Sequence, residues 1–311
     1  MPADIPHPAD NRAGALILAC GGKQRRESSP TREIGTLSAV KRLLLTFRLF
    51  EAAPIVLVAG AYGGNLQKHA AHAGAVFLQL TDPDAKMFEG VKLGLDYLRQ
   101  RCQQVLVTTA DIPLFSPETL KTLTGSGHKL ACPAFGGKAG HPWLIHRELL
   151  AGILSYQGPG GLSAAIERCG LSMALVPVTD PGILLEVEQE DEAEEIAARE
   201  SIRQIRPDIK LCLAKDDVFF GPGTCQLLEL IESKGSVRLA CQQMNMSYSK
   251  SWKLLATVEN TLGFTVVDRR QGGRAGGETR LTDRGRDLLQ RYQKFESAGQ
   301  SAIKKLFSEY F

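Results

Sequence analysis

Two stretches in the first half of the chain carry residues that could bind a phosphate and a metal ion. The apolar run 15–19 leads into Cys20-Gly21-Gly22-Lys23, and Arg25 follows closely. Glycines let backbone N–H groups approach a phosphate, and cations neutralise its charge, so this run could form a phosphate-binding loop. A surface turn with basic neighbours would have the same composition.

The second stretch centres on Asp111, which follows the apolar run 105–108. A carboxylate just beyond a buried strand can bind a hard cation such as Mg²⁺, together with a phosphate. Asp111 could equally be a turn residue that accepts hydrogen bonds from nearby backbone N–H groups. A glycine-rich stretch, 136–142, adds a histidine, and an acidic run begins at Glu186.

Alternating apolar strands and amphipathic helices must position these groups. The pattern predicts strands at 15–19, 54–59, 76–80, 105–108, 129–133 and 173–178, and helices at 38–50, 66–73, 88–101 and 162–168. Such alternation forms βαβ units, so we expect an α/β doubly wound, parallel sheet. Ligands of such sheets bind at the carboxyl ends of the strands, where the glycine run and Asp111 fall.

The C-terminal third carries most of the positive charge. Residues 234–294 contain twelve Lys or Arg against five Asp or Glu, a net charge of +7 that leaves −4 for the rest of the chain. This asymmetry indicates an anionic partner for the C-terminal part.

The element order in this third is that of a winged helix-turn-helix. A short helix, 236–244, should place Leu239 and Ala240 against a core; Ser247 then caps a longer helix, and a β-like run, 264–267, precedes an arginine-rich glycine loop. Trp252 fits the core better than a base-stacking position. We predict that the following residues contact DNA: Ser236, Ser247, Tyr248, Ser249, Lys250, Lys253, Arg269, Arg270, Arg274 and Arg280. The arginine loop could instead be a basic solvated turn.

Length and composition predict two domains after a disordered N-terminus: 1–12 disordered, 13–205 the α/β domain, and 208–311 the helical domain. No apolar run reaches the length of a membrane span, so no membrane partner is expected. The seven cysteines show no CxxC spacing, which favours reduced thiols and a cytoplasmic protein.

Five motifs of the first half also occur together in a known order. They are LACGG with Arg25, KMFEGVKLGL at 86–95, TADIPLFSPETL at 109–120, GGKAGHPWLI at 136–145 and DPGILLEVEQEDE at 180–192. Residues 13–200 thereby resemble the MobA-like nucleotidyltransferases, which include molybdenum cofactor cytidylyl- and guanylyltransferases. The resemblance implies a GT-A or Rossmann-like fold, and a nucleotide, CTP or GTP, as ligand.

The resemblance also implies roles for individual residues. The nucleotide would be held by Ala19, Cys20, Gly21, Gly22 and Lys23. Arg25 and Asp111 would act in catalysis, Asp111 and Glu188 would bind Mg²⁺, and Gly140, His141 and Pro142 would contact the molybdopterin-type substrate.

Two features of this chain depart from the family pattern. Where the family usually continues Arg-Met-Gly-x-x-Lys, Glu27 and Pro30 stand at the glycine and lysine positions, and the late acidic motif is Glu186-Val187-Glu188 in place of Asp-x-Asp. A glutamate beside a triphosphate would repel it, so catalysis and ligand binding without turnover both stay open.

A second set of motifs lies in the C-terminal third: FGPG at 220–223, GSV at 235–237, MSYSKSW at 246–252, RRQGGRAGG at 269–277 and LTDRG at 281–285. It resembles the DNA-binding domain of ModE-type regulators, whose helix-turn-helix is LysR-like. The resemblance implies double-stranded DNA as partner and a link to molybdenum. Nothing here resembles the molybdate-binding modules of those regulators, and the amphipathic stretch 289–311 could pair two protomers into a homodimer.

Three functions follow from these patterns. The first is a transcriptional regulator whose N-terminal domain senses a nucleotide or a cofactor-related ligand. The second is an active nucleotidyltransferase that carries a DNA-binding domain. The third is a fusion in which the N-terminal domain only dimerises.

Overall fold

A computed structural model describes residues 12–20, 30–34, 37–61, 63–187, 207, 209–270 and 278–310. The chain divides into two compact units, Met1–Ile202 and Arg203–Phe311. None of the helices in the described ranges is both long enough and apolar enough to cross a membrane.

The first unit is an α/β layer structure, as predicted. Its strands are β1 Gly14–Ala19, β2 Glu33–Ile34, β3 Leu37–Ser38, β4 Ile55–Ala59, β5 Val76–Gln79, β6 Gln104–Thr109, β7 Leu130–Phe135, β8 Lys138–Ala139, β9 Trp143–His146 and β10 Ala174–Pro177. Its helices are α1 Ala39–Leu49, α2 Leu66–His72, α3 Met87–Leu98, α4 Pro117–Thr124, α5 Arg147–Ser155 and α6 Gly161–Arg168.

The main sheet has the strand order β10-β7-β9-β6-β1-β4-β5, with β8 paired to β7, while β2 and β3 form a separate hairpin. β1 pairs in parallel with both β4 and β6 and lies at the centre. Leu16, Ile17, Val56 and Leu57 on these strands are fully buried, because helices cover both faces of the sheet.

The prediction of an all-parallel sheet is wrong at β9, which runs antiparallel between β6 and β7. Gly136 and Gly137 have φ angles of 57° and 79°, and they turn the chain back after β7 into β8. Left-handed φ values are readily adopted by glycine, so the pair permits this reversal. The stretch before β9 therefore lies at the same edge as the carboxyl ends of the parallel strands.

The second unit is mainly helical. Its elements are β11 Leu213–Ala214, β12 Val218–Phe220, α7 Pro222–Lys234, α8 Val237–Gln243, α9 Tyr248–Leu262, β13 Val267–Arg270, β14 Glu278–Leu281 and α10 Asp283–Tyr310. The order α8, turn, α9 and hairpin is the one predicted for a winged helix-turn-helix, and α7 precedes it. Asn245, with a φ of 47°, lies in the turn between α8 and α9.

Two details of the second unit differ from the predictions. Leu239 does not face the core: it is 47% exposed, because the buried face of α8 consists of Val237, Ala240 and Cys241. The predicted strand 264–267 is wrong in its bounds, since β13 starts only at Val267. Gly263 ends α9 in the left-handed conformation, and the next residues lead the chain into the hairpin.

Candidate nucleotide site and nucleic-acid interface

The carboxyl edge of the main sheet brings together several predicted site residues. Asp111 lies just beyond β6, and its carbonyl oxygen accepts a hydrogen bond from the N–H of Val187 at 2.8 Å. The N–H of His141 donates to the carbonyl of Ile183 at 3.0 Å. One segment, 183–187, therefore holds the Asp111 loop and the Gly-His-Pro loop at the same edge.

His141 is half-buried in this edge. Its ring stacks on Trp143, with the ring centroids 5.6 Å apart and the planes 11° from parallel. Its Nδ1 atom is buried and has no hydrogen-bond partner among the described residues. Burial lowers the pKa of His141, although the Val107 backbone and the Asp111 carboxylate act in the opposite direction.

Gly140 and Pro142 are structural parts of the loop around His141. A Cβ atom on Gly140 would lie 2.5 Å from the carbonyl oxygen of Ile183, so only glycine allows this close approach. Pro142 is buried, and the peptide bond before it is cis. Of the three predicted substrate contacts, His141 is therefore the one with a buried polar atom available.

Asp180 holds the segment 183–187 in place. Its carboxylate accepts hydrogen bonds from the N–H of Ser116 at 2.8 Å, from the hydroxyl of Thr119 at 2.6 Å and from the N–H of Gly182 at 2.9 Å. Asp180 has no role in the sequence-based predictions. An aspartate before Pro-Gly is a turn and capping signal that could have identified it.

The phosphate-binding half of the predicted site is described only in part. Ala19 ends β1, and Cys20 is buried, which raises the pKa of its thiol to about 12. A Cβ atom on Gly90 of α3 would lie 2.4 Å from the Cys20 sulfur, so Cys20 fills a tight contact and stays a neutral thiol at physiological pH. Gly21, Gly22, Lys23, Arg25, Glu27 and Glu188 lie outside the described residues.

A divalent cation is compatible with the residues present at this edge. Asp111 lies in the loop beyond β6, and the exposed Glu186 precedes Val187, whose N–H donates to the Asp111 carbonyl. Among the described residues there is no cluster of three or more His, Cys, Asp or Glu that could hold a metal alone. Mg²⁺ commonly uses one or two carboxylates and takes its other ligands from water and phosphates, so the two carboxylates fit its needs.

In the second unit, α9 presents its N-terminal end to solvent. Ser247 caps the helix by accepting a hydrogen bond from the N–H of Lys250 at 3.3 Å. Tyr248 is 54% exposed, and Ser249, Lys250 and Lys253 are exposed as well. These five predicted DNA contacts therefore share one end of one helix, where backbone N–H groups and cations can meet phosphates.

The other predicted DNA contacts lie on α8 and the hairpin. Ser236 caps α8, and its side chain accepts from the N–H of Leu239 at 3.4 Å. Arg280 is exposed on β14, opposite Asp268 in the register. The backbones of Arg269 and Arg270 belong to β13, while Arg274 lies outside the described residues. Trp252 is half-buried and packs edge-on against Tyr248, with the ring centroids 5.8 Å apart.

Comparisons with known proteins give different matches for the N-terminal and C-terminal parts of the chain. Residues 15–173, just over half of the chain, match the model of the MobA-like NTP transferase domain family. The first unit is similar in fold to Rv0371c from Mycobacterium tuberculosis H37Rv, with a TM-score of 0.52 and 15% identity over 61% of this chain and 98% of that one.

The C-terminal region is similar to molybdenum regulators. It is 40% identical over 81 residues to the molybdenum transport protein ModE of Azotobacter vinelandii, which is 26% of this chain and 30% of the relative. It is 30% identical over 92 residues to the transcriptional regulator ModE of Haemophilus influenzae, which is 30% of this chain and 36% of the relative. The chain thus spans about a third of the length of these relatives.

Proposed function

We propose that this chain, which belongs to the MobA-like NTP transferase domain family through residues 15–173, is a DNA-binding transcriptional regulator linked to molybdenum metabolism. The similarity of its C-terminal region to ModE proteins supports the regulatory part of the proposal. In this proposal the second unit binds double-stranded DNA, and the first unit binds a nucleotide or a molybdopterin-related ligand. The observation that most strongly supports DNA binding is the exposed, basic N-terminal end of α9 in a ModE-like region.

The proposed DNA contacts divide into two kinds. Lys250, Lys253 and Arg280 supply positive charge for phosphates, which gives affinity and salt dependence. Tyr248 and Ser249 at the start of α9 can reach base edges when the helix enters the major groove. Trp252 supports Tyr248 from the side through their edge-on contact.

In vitro selection from a randomised pool of double-stranded DNA tests the DNA-binding half of the proposal. We expect enrichment of a partly palindromic site whose binding weakens steeply as salt rises. No enrichment, or binding that is indifferent to salt, would remove DNA binding from the proposed function.

At the edge of the first unit, Asp111 would hold Mg²⁺ together with Glu188, which lies outside the described residues. The cation would neutralise the charge of a bound triphosphate. His141 and Trp143 would form one wall of the ligand pocket, and the buried Nδ1 atom of His141 would gain a ligand hydrogen bond. The charge of Glu27 opposes a triphosphate, which favours binding without turnover.

A melting screen tests the ligand. CTP, GTP, molybdate and pterins are added to the full chain with and without Mg²⁺; a bound ligand raises the melting temperature by mass action. We expect at least one nucleotide or pterin to do so, and Asp111→Ala to abolish the Mg²⁺-dependent part of the shift. Glu167→Ala, a change at an exposed acidic residue of α6, is the control. If no compound shifts the melting, the N-terminal unit acts as a structural fusion.

An active molybdenum cofactor cytidylyl- or guanylyltransferase is the second candidate function. The observation that favours it is the loop of Asp111 beyond β6, which is joined through the segment 183–187 to the loop of His141. Incubation with CTP or GTP, Mg²⁺ and molybdopterin cofactor tests it. Pyrophosphate release that is abolished in Asp111→Ala would establish this enzyme and overturn the proposal of a sensor without turnover.

The proposal also includes a homodimer in the cytoplasm, where the DNA partner lies. Phe295, Leu306 and Tyr310 on α10 are 48%, 49% and 76% exposed, and their spacing places them on one side of the helix. Covering this side with a second copy would align two α9 helices with the two halves of a palindromic site. Analytical ultracentrifugation of Leu306→Glu against the unchanged chain tests the dimer.

A further inference from the structure

The strand β13 of the wing, defined here as the hairpin β13–β14, is attached to a glutamate of α9. Oε1 of Glu259 accepts hydrogen bonds from the N–H of Val266 at 2.8 Å and from the N–H of Val267 at 3.3 Å. Glu259 lies one turn before the end of α9, the helix whose other end carries the proposed DNA contacts. The carboxylate therefore connects that helix directly to the start of the wing.

The strand β14 is attached to a second glutamate, on α7. Oε2 of Glu232 accepts from the N–H of Leu281 at 2.9 Å, and its Oε1 accepts from Nε of Arg286 at 2.6 Å. The carbonyl of Gly235, just after α7, also accepts from the N–H of Thr279 at 2.8 Å. Both strands of the wing are thus held from outside by helices of the same unit.

The two glutamates act on the same cross-strand pair. Val267 and Leu281 are register partners in the antiparallel hairpin, and their N–H groups donate to Glu259 and Glu232 respectively. In an antiparallel pair the N–H groups that are not exchanged across the ladder point outward and need other acceptors. Here the outward groups on both sides meet a carboxylate.

We propose that Glu232 and Glu259 are positioning residues that fix the base of the wing, so that its arginines reach the DNA backbone. This inference rests on the proposed DNA binding. Neither carboxylate contacts DNA in the proposal. Each acts through a backbone N–H group of the wing.

Simple electrostatics predicts the opposite change in DNA affinity when either glutamate is removed. A carboxylate in a basic region repels DNA, so its removal would tighten binding through simple electrostatics. If the carboxylates position the wing, their removal weakens binding and reduces its salt dependence, because the wing then neutralises fewer phosphates. The sign of the change therefore separates the two explanations.

The hydrogen-bond pattern predicts a further contrast between the two sites. Glu259 uses a single oxygen for both of its N–H donors, and a glutamine amide oxygen can replace it. Glu232 uses both oxygens, and the NH₂ group of a glutamine cannot accept a hydrogen bond. Glu259→Gln should therefore rescue the wing, whereas Glu232→Gln should not.

Fluorescence anisotropy of the full chain on its selected DNA site, measured at several salt concentrations, tests the inference. We expect Glu232→Ala and Glu259→Ala to weaken binding by about tenfold. The slope of log affinity against log salt should fall by about one unit for each phosphate that the wing no longer neutralises. Glu259→Gln should bind like the unchanged chain, and Glu232→Gln like its alanine variant. The control is Asp287→Ala, which removes an exposed acid of α10.

Three outcomes decide between the explanations. Alanine variants that bind as tightly as the unchanged chain, or more tightly, with the same salt slope, overturn the inference. If those variants do not fold, the comparison of Glu232→Gln with Glu259→Gln decides, together with faster hydrogen exchange at the Leu281 N–H in Glu232→Gln. If the unchanged chain itself shows no salt-dependent binding, the proposed DNA-binding function fails first, and the inference fails with it.

Discussion

In the first unit, the loops of the candidate site are joined mainly by backbone groups, whereas in the second unit the wing is held by side chains. The contacts of Val187 with Asp111 and of His141 with Ile183 are both backbone hydrogen bonds. The wing instead depends on the carboxylates of Glu232 and Glu259. A frame made of backbone groups tolerates changes in the side chains that it displays.

The largest expected effects come from two glycines, one in each unit. A Cβ atom on Gly182 would lie 2.0 Å from the carbonyl oxygen of Leu114, and one on Gly285 would lie 2.2 Å from that of Val266. Both neighbours are backbone atoms, so Gly182→Ala and Gly285→Ala should each destabilise their own unit by about 1–3 kcal/mol or more. Calorimetry should show that each variant lowers a different unfolding transition.

Gly223→Ala is the control for this experiment, because a Cβ atom there meets nothing within 4 Å. It should leave both transitions unchanged or slightly raised. A single transition lowered equally by Gly182→Ala and Gly285→Ala would show that the two units unfold together, and the comparison between them would lose its thermodynamic basis.

The next largest effect concerns Asp180, the side-chain exception in the first unit. Asp180→Ala leaves the donors of Ser116, Thr119 and Gly182 without their acceptor, which should destabilise the first unit by about 1–3 kcal/mol. Asp180→Asn keeps one acceptor oxygen, so its stability should lie between that of the unchanged chain and that of Asp180→Ala. Denaturant unfolding measures both, with Glu167→Ala, at an exposed position of α6, as control. Unchanged stability in Asp180→Ala would mean that backbone contacts alone hold the segment 183–187.

Sequence patterns predicted the frame of both units better than the contacts at their edges. Apolar runs located β1, β4 and β6 because buried parallel strands have no polar alternation. The antiparallel β9 was missed, because its direction depends on the left-handed turn at Gly136 and Gly137 and not on its own residues.

The candidate sites show the same limit. Asp111 could be placed at a strand end from the run before it, and Ser247 as a cap from its residue type. The role of Glu259 could not be predicted, because its partners are backbone N–H groups brought close by tertiary packing. The turn signal at Asp180 likewise does not reveal its distant partners, Ser116 and Thr119. The exposure of Leu239 depends in the same way on which face of a two-turn helix meets the core.

A smaller effect is expected at the DNA interface. Lys250→Ala should weaken DNA binding by roughly fivefold and reduce the salt slope by about 0.9, as expected when one phosphate is no longer neutralised. Sequence preference should change little. Filter binding at several salt concentrations measures this, with Lys294→Ala, an exposed lysine of α10, as control. An equal weakening in both variants would indicate a general charge effect. It would refute the prediction that the N-terminal end of α9 contacts DNA.

The smallest effect is a response to pH that differs in sign between the units. Burial lowers the pKa of His141, so the imidazole binds a proton less tightly in the folded first unit than in the unfolded chain. Its contribution to stability is therefore present above the ordinary histidine value of 6.5 and is lost as the pH falls through the lowered pKa.

In the second unit, burial raises the pKa of Glu296. The nearby Glu229 also raises this pKa, whereas the hydrogen bond from Tyr292 lowers it. The contribution of Glu296 is present below the ordinary value of 4.5 and is lost as the pH rises through the raised pKa.

Melting of the two transitions between about pH 3.5 and pH 8, a range that brackets the ordinary pKa values of both groups, measures this difference. His141→Gln should flatten the pH dependence of the first transition only, and Glu296→Gln that of the second only. Glu309→Gln, at an exposed position of α10, should change neither. If His141→Gln altered neither transition, the imidazole would be equally protonated in the folded and unfolded chain. Water would then have to reach the buried Nδ1 atom. His141 could in that case not form a pocket wall that excludes water from the ligand.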